Sequence, residues 1–230
     1  MKTSTLAILV TLFHLVPRTL LLGMQIPGRA YYLTGTLVVI EVMIPFFLAF
    51  EGRKPQAREL VVIAVLCALA IVARIAIPIP HFKPIFAIIM IAGIAFGPET
   101  GFLVGAVSAF ASNFFYSQGA FMPWQMLAFG VSGVLAGFLF RCTRLPRKPW
   151  ILAVVGFLGV FLVVGPVLDT CSLFLIPAKV TWKYALSIYA AGIPVNLSQA
   201  ACTAVTMLLL GKPLLEKLKR VQVKYGMLEG

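Results

Sequence analysis

The fourteen residues from Asn113 to Met126 concentrate side chains that can bind a small molecule. They read NFFYSQGAFMPWQM and carry five aromatic rings, three carboxamides and no charge. Aromatic faces stack on flat ligands, and carboxamides both donate and accept hydrogen bonds. An aromatic belt at the membrane interface would explain Tyr116 and Trp124, but it would not explain the carboxamides. The stretch therefore predicts a loop that closes over a neutral ligand, shaped by Gly119 and Pro123.

Catalytic chemistry finds little support in the sequence. The segment GVSG around Ser132 matches the serine motif of rhomboid-type intramembrane proteases, which need a histidine on a later helix as base. Both histidines, His14 and His81, precede Ser132. The sequence has no H-E-x-x-H motif and no phosphate-binding G-x-x-x-x-G-K-[ST] loop. We therefore predict no catalytic residue, no metal site, no cofactor for catalysis and no ATP hydrolysis by this chain.

Four ionisable residues lie within apolar segments, where charge is costly and often functional: Arg18, Glu41, Arg74 and Asp169. Arg74 is near a segment end, so we expect its guanidinium to extend to the interface. Asp169 follows Gly165-Pro166, where we expect a broken helix. It could pair with Arg74 or line a pocket. Glu41 could pair with Arg18.

The composition as a whole is that of an all-α integral membrane protein. Apolar residues make up 61% of the 230 and charged residues 11%, against about a quarter charged in soluble domains. Eight segments have about the length and apolarity of a membrane-spanning helix. They cover residues 5–23, 31–50, 59–77, 84–97, 100–115, 123–140, 150–176 and 183–210.

Positive charge predicts the orientation of these spans. With eight spans, thirteen of the nineteen Lys and Arg residues fall on one side, so both termini are expected in the cytoplasm. The net charge of +12 then reflects this bias, and we predict a multi-pass protein of the cell membrane with no nucleic-acid partner. The first segment also resembles a signal peptide, although no clear cleavage site follows it.

Small residues recur four positions apart in several of these segments. Gly93/Gly97, Gly101/Gly105 and Gly133/Gly137 predict close helix packing inside the bundle. Ala64 and Ala68 stand near the start of their segment and could instead face another subunit.

The stretches ELVVIAVLCALAIVARIAI, FKPIFAIIMIAGIAFGPETGFLVGAVSAFASNFF and PWQMLAFGVSGVLAGFLF resemble the S components of energy-coupling factor (ECF) transporters. The resemblance covers about residues 57–226 and is most specific between Phe82 and Gly137. It implies a six-helix substrate-binding core (57–211), preceded here by a transmembrane hairpin (1–56) and followed by a basic cytoplasmic tail (212–230).

S components capture a vitamin outside the cell and topple in the membrane to deliver it. The family implies a partner complex of one transmembrane coupling protein and two ATP-hydrolysing subunits. Its A-x-x-x-A docking motif corresponds here to Ala64 and Ala68. Its binding pocket is formed by the outer loops, which correspond to Pro78–Lys83, Tyr116–Met122 and Ile176–Trp182.

The stretch from Asn113 to Met126 also resembles a subgroup of S components linked to cobalamin and related corrinoids, so a corrinoid is the first expectation for the ligand. This chain departs from that subgroup at Tyr116, Ser117, Ala120, Phe121 and Met122. A flat heterocycle such as riboflavin or a deazapurine is the alternative. A membrane scaffold or assembly factor without a transported ligand is an alternative from another class.

We predict that nine residues bind the substrate. The aromatic walls are Tyr116, Phe121 and Trp124, and the amide partners are Asn113, Gln118 and Gln125. Phe82 and Trp182 close the pocket, and Asp169 is a deeper acceptor.

Overall fold

The computed structural model describes residues 11, 15–25, 30–52, 55–143, 145–175 and 181–226. Several sequence predictions concern residues outside these ranges. They include the start of the first predicted span, the basic residues Arg53, Lys54 and Arg144, and residues 176–180 of the third outer loop.

All regular structure in the described ranges is helical, which confirms the predicted fold class. We number the helices from α1 to α8 along the chain. Their bounds are Val16–Gln25, Ala30–Gly52, Ala57–Ala76, Ile85–Phe96, Pro98–Tyr116, Met122–Cys142, Pro149–Leu175 and Trp182–Lys224. Each of the last seven lies within about three residues of its predicted start, and α8 extends well beyond its predicted end.

Within the described residues, five helices are long and apolar enough to cross a membrane: α2, α3, α6, α7 and α8. The span predicted at 84–97 is the shorter helix α4, whose 12 residues rise about 18 Å. That is less than the hydrocarbon thickness of a bilayer. Since Ile85 to Ile94 are all buried, protein rather than lipid surrounds α4.

Glycines bring α4, α5 and α6 together, as the sequence predicted. A Cβ atom on Gly101 would lie 2.7 Å from the Cα of Gly93 and 2.8 Å from the carbonyl oxygen of Gly133. A Cβ on Gly137 would lie 2.9 Å from the Cα of Pro98. Real side chains do not tolerate such distances to backbone, so the three helices can approach this closely only through glycine. Gly97, with φ of 102°, makes the turn from α4 to α5.

The break expected in α7 at Gly165-Pro166 is not found, because the helix continues to Leu175. One π-helical turn, Val160–Val164, directly precedes Gly165. A proline ring clashes with the carbonyl four residues earlier, and a wider turn relieves that clash. In α8 a second π turn, Met207–Gly211, precedes Pro213 in the same way.

The N-terminal hairpin packs on the core through α2. The ring of Phe46 stacks on Phe102 of α5 at 4.3 Å between centroids, and Phe47 meets the same ring edge-on at 5.5 Å. Within the hairpin, the Thr19 hydroxyl of α1 donates to the Glu41 carboxylate at 2.5 Å.

The end of α8 stays in contact with the bundle. Leu215 is buried, and the Gln222 amide donates to the Ala95 carbonyl of α4 at 2.8 Å. The guanidinium of Arg58, at the start of α3, donates to the Tyr225 carbonyl at 3.2 Å. Residues 212–224 are thus a helix tied to one end of the core.

Candidate functional site

Polar side chains from three helices meet near the ends of α3 and α5. We call this cluster the Arg74 network: Arg74, Ser112, Asn113, Tyr116 and Gln125. Arg74 donates to the hydroxyl of Ser112 and, at 2.9 Å, to the side-chain oxygen of Asn113. The Asn113 amide then donates to Gln125 on α6, also at 2.9 Å. Asn113 is fully buried, so the network is a polar chain inside the bundle.

Aromatic rings flank the guanidinium of Arg74. Its central carbon lies 4.9 Å from the ring centroid of Tyr116 and 5.3 Å from that of Phe129. The Tyr116 hydroxyl donates to the Arg74 carbonyl at 2.8 Å, which fixes the ring beside the charge. Cation–π contacts of this kind strengthen when water is excluded.

The expectation that Arg74 extends to the membrane interface is wrong. Its guanidinium turns into the bundle, because hydroxyl and amide acceptors on α5 lie within its reach. Among the described residues, no acidic side chain pairs with it. A half-buried cation with only neutral partners is costly in a membrane and is a functional candidate.

The loop between α3 and α4 approaches the Arg74 network through Lys83. The Lys83 ammonium donates to the Ile77 carbonyl and lies 5.8 Å from the ring centroid of Tyr116. The neighbouring Phe82 is half-buried. Two cationic groups therefore lie beside one tyrosine ring.

Trp124 occupies a second cluster, on another side of α6. It is 7% exposed and packs with Val39 of α2 and Cys171 of α7, while its ring lies 5.9 Å from that of Phe174. Phe121 borders the same cluster. The indole N–H of Trp124 is buried with no acceptor among the described residues. Buried donors are rarely left unpaired, so this atom is available to a ligand acceptor.

Asp169 bonds to Asn196 on α8 rather than to Arg74. The Asn196 amide donates to the Asp169 carboxylate at 2.8 Å. A Cβ on Gly165 would lie 2.5 Å from the Asn196 Cγ, and one on Gly192 would lie 2.6 Å from the Asp169 Cγ. The two glycines thus allow α7 and α8 to approach closely around this pair. At the next residue of α7, the hydroxyl of Thr170 lies 2.7 Å from that of Tyr189 on α8.

The structure does not bring the remaining predicted residues into one group. The Gln118 amide donates at 3.3 Å to the Phe110 carbonyl, so it bends back to α5. Trp182 is 85% exposed at the start of α8. Ser132, the residue of the protease-like motif, is buried and donates at 2.6 Å to the Phe129 carbonyl.

Ala64 and Ala68 lie on the exposed side of α3, opposite the buried Ile63, Cys67 and Ala70. Large apolar side chains continue along this exposed side from Leu60 to Ile75. The alanines therefore form a shallow strip on a surface that faces lipid or another protein.

A family model described as ECF-type riboflavin transporter, S component, matches residues 54–217. The chain belongs to this family. The match runs from the start of α3 into the last part of α8, and it includes the Arg74 network, Trp124 and the Asp169–Asn196 pair. No curated protein and no solved structure matches this S component.

This result agrees with the sequence resemblance to ECF S components, but it does not support the corrinoid-linked subgroup. The description of the matching family favours the alternative ligand, riboflavin. Sequence reasoning named Arg74 among four ionisable candidates but did not place it among the nine substrate-binding residues. Its position in an apolar segment was the available signal, but the direction of its side chain depends on neighbours from α5.

Proposed function

We propose that this S component binds riboflavin, or a similar flat heterocycle, next to the Arg74 network and delivers it to an ATP-driven coupling module. The observation that carries the proposal is the half-buried guanidinium of Arg74, which donates to Ser112 and Asn113 of α5 and is flanked by the rings of Tyr116 and Phe129. This arrangement lies inside the range that matches the riboflavin family.

The chemistry of the Arg74 network suits a flat ring with carbonyl and N–H groups along one edge. Asn113 and Gln125 each offer an acceptor and donors, so their carboxamides can complement such an edge. Arg74 supplies donors alone and favours an electron-rich carbonyl. Tyr116 and Phe129 supply apolar faces. Asn113 and Gln125 bond to each other at 2.9 Å, and we expect the ligand to replace that bond.

The corrinoid now becomes the second choice for the ligand. A corrinoid is much larger than a flavin ring and would need a wide opening between the outer loops. The side chains of the Arg74 network instead bond directly to one another, which suits a thin, planar group. A deazapurine would fit the same amides and remains an alternative of the flat heterocycle class.

Transport requires partners under this proposal. The coupling protein would dock on the exposed strip at Ala64 and Ala68, and two ATPase subunits would supply the energy. Both termini would lie in the cytoplasm, as the distribution of Lys and Arg predicts. The S component would then topple to release its ligand inside the cell.

Native mass spectrometry of the purified chain tests the ligand assignment. We expect a co-purified species with the mass of a flavin, released on denaturation. A corrinoid mass would restore the first expectation from sequence. A chain that never carries a small molecule, and takes up neither riboflavin nor cobalamin when they are added, would favour a membrane scaffold.

A further inference from the structure

The last helical segment of α8 carries a basic face that points away from the bundle. Its buried side is occupied, because Leu215 packs in the core and Gln222 bonds to Ala95. The exposed side bears five cationic residues against one acid, Glu216. They are Lys212, Lys217, Lys219, Arg220 and Lys224.

Part of this face is a shallow, open surface on one side of the helix, which we call the tail groove. Its lining residues are Glu216, Lys219, Arg220, Val223 and Lys224. They repeat at three- and four-residue spacing, so they share one side of the helix. The carboxylate of Glu216 lies 3.9 Å from the ammonium of Lys212, a residue that does not line the groove. The three other charged residues of the groove have no acidic partner within the described residues.

Two contacts set the depth of the tail groove in the membrane. Arg58, near the start of α3, donates to the Tyr225 carbonyl at 3.2 Å, and Gln222 bonds to the last turn of α4. The 20 residues of α3 rise about 30 Å, which matches the hydrocarbon thickness. The end of α8 is therefore level with one edge of the hydrocarbon, where phospholipid headgroups lie.

The tail groove also continues a lipid-facing surface. Val205, Leu208 and Leu209 are exposed on the same helix, between 47% and 65%. The groove begins about two turns further along α8, at Glu216, and continues to Lys224. An apolar stripe that turns basic at headgroup depth is the pattern expected where acyl chains give way to phosphates.

We propose that the tail groove binds the phosphate of an anionic phospholipid, such as phosphatidylglycerol, in the adjacent leaflet. Lys219, Arg220 and Lys224 are the phosphate-binding residues, and Val223 contacts the glycerol or upper acyl region. This lipid site lies at the opposite end of the bundle from the Arg74 network and does not depend on the identity of the transported ligand.

Retention of lipid by the full chain tests the proposal. The protein is extracted from vesicles of equal parts phosphatidylglycerol and phosphatidylcholine, and bound lipids are counted by native mass spectrometry. The test variant combines Lys219→Gln, Arg220→Gln and Lys224→Gln. The matched control combines Arg141→Gln, Arg147→Gln and Lys148→Gln, which removes the same charge from the same end of the bundle. Melting temperatures confirm that both variants fold.

We expect the parent and the control to retain phosphatidylglycerol in preference to phosphatidylcholine. In the test variant this preference should fall by about tenfold or more, since each basic residue at a membrane surface contributes substantially. Equal retention by parent and test variant would overturn the proposal. An equal loss of the lipid preference in both variants would also overturn it, because overall positive charge rather than the groove would then retain the lipid. Unchanged lipid retention with loss of a co-purifying protein would assign the groove to a protein partner instead.

Discussion

Arg74 is the residue on which the proposed binding site depends most. It joins α3 to α5 through Ser112 and Asn113, and Asn113 extends the chain to α6 through Gln125. A change at Arg74 therefore alters the charge and the hydrogen bonding of the whole network.

Replacing Arg74 by Gln should weaken riboflavin binding by about 1.5–3 kcal/mol, the usual contribution of a hydrogen bond to a charged group. Arg74→Lys should recover only part of this, because an ammonium lacks the planar fork of donors. Isothermal titration calorimetry measures the riboflavin affinity of the parent and of both Arg74 variants. The control is Lys183→Gln, which removes an exposed charge at the start of α8. Unchanged affinity in both Arg74 variants would place the ligand elsewhere.

Trp124 should act as a buried anchor. We expect Trp124→Ala to weaken ligand binding by about 2–4 kcal/mol, in the range of such residues. Lys148→Ala, at the exposed start of α7, should change affinity by less than about 0.5 kcal/mol. Because Trp124 also packs against Val39 and Cys171, thermal unfolding of each variant must be measured beside its affinity. Equal affinities in folded variants would place the ligand away from the Trp124 cluster.

Ser117 adopts a backbone conformation that favours glycine, with φ of 86° and ψ of 138° at the end of α5. Side chains in that region cost about 1–3 kcal/mol. Ser117→Gly should therefore raise the free energy of unfolding by about 1 kcal/mol. The matched control, Ser172→Gly inside α7, should lower it by about 0.5–1 kcal/mol, as glycine does within helices. A destabilised Ser117→Gly variant would show that the serine side chain contributes more than the strain costs.

At the scale of whole helices, α3 is the element that links the two ends of the molecule. It carries Arg74 near one end and the exposed alanines Ala64 and Ala68 nearer the other.

A bulky side chain on that strip should block docking without disturbing the binding site. We expect Ala68→Trp to abolish vitamin uptake in cells that supply the coupling module, while the purified chain keeps its riboflavin affinity. Close helix contact in the membrane depends on small side chains, which is the physical reason. Leu69→Trp, which is exposed on α3 but turned about 100° around the helix from Ala68, serves as a control for bulk alone. Normal uptake by Ala68→Trp would show that the strip faces lipid.

Helix positions were largely predictable from sequence, whereas side-chain partners were not. The apolar runs at 59–77 and 150–176 became α3 (Ala57–Ala76) and α7 (Pro149–Leu175), because apolar length determines where a chain can cross lipid. The directions of Arg74 and Asp169 depend on acceptors or donors from other helices, Asn113 and Asn196. A periodic pattern within one helix contains no information about those neighbours.

At the scale of the molecule, a six-helix core that matches the family carries an additional hairpin. α2 packs on Phe102 and reaches Trp124, where a Cβ on Gly35 would lie 3.1 Å from the indole ring. The candidate site is thus bordered by a helix outside the matched range of residues 54–217. The basic tail lies at the opposite end of the same core.

A fluorescence titration of riboflavin with the purified full-length chain tests the central claim most directly. Flavin emission should be quenched as the ring stacks against aromatic side chains in the bundle. Quenching should saturate at one ligand per chain, with an affinity about nanomolar, or about 12 kcal/mol, and excess cobalamin should not reverse it. Riboflavin emission that stays unchanged with folded protein in excess would contradict the account.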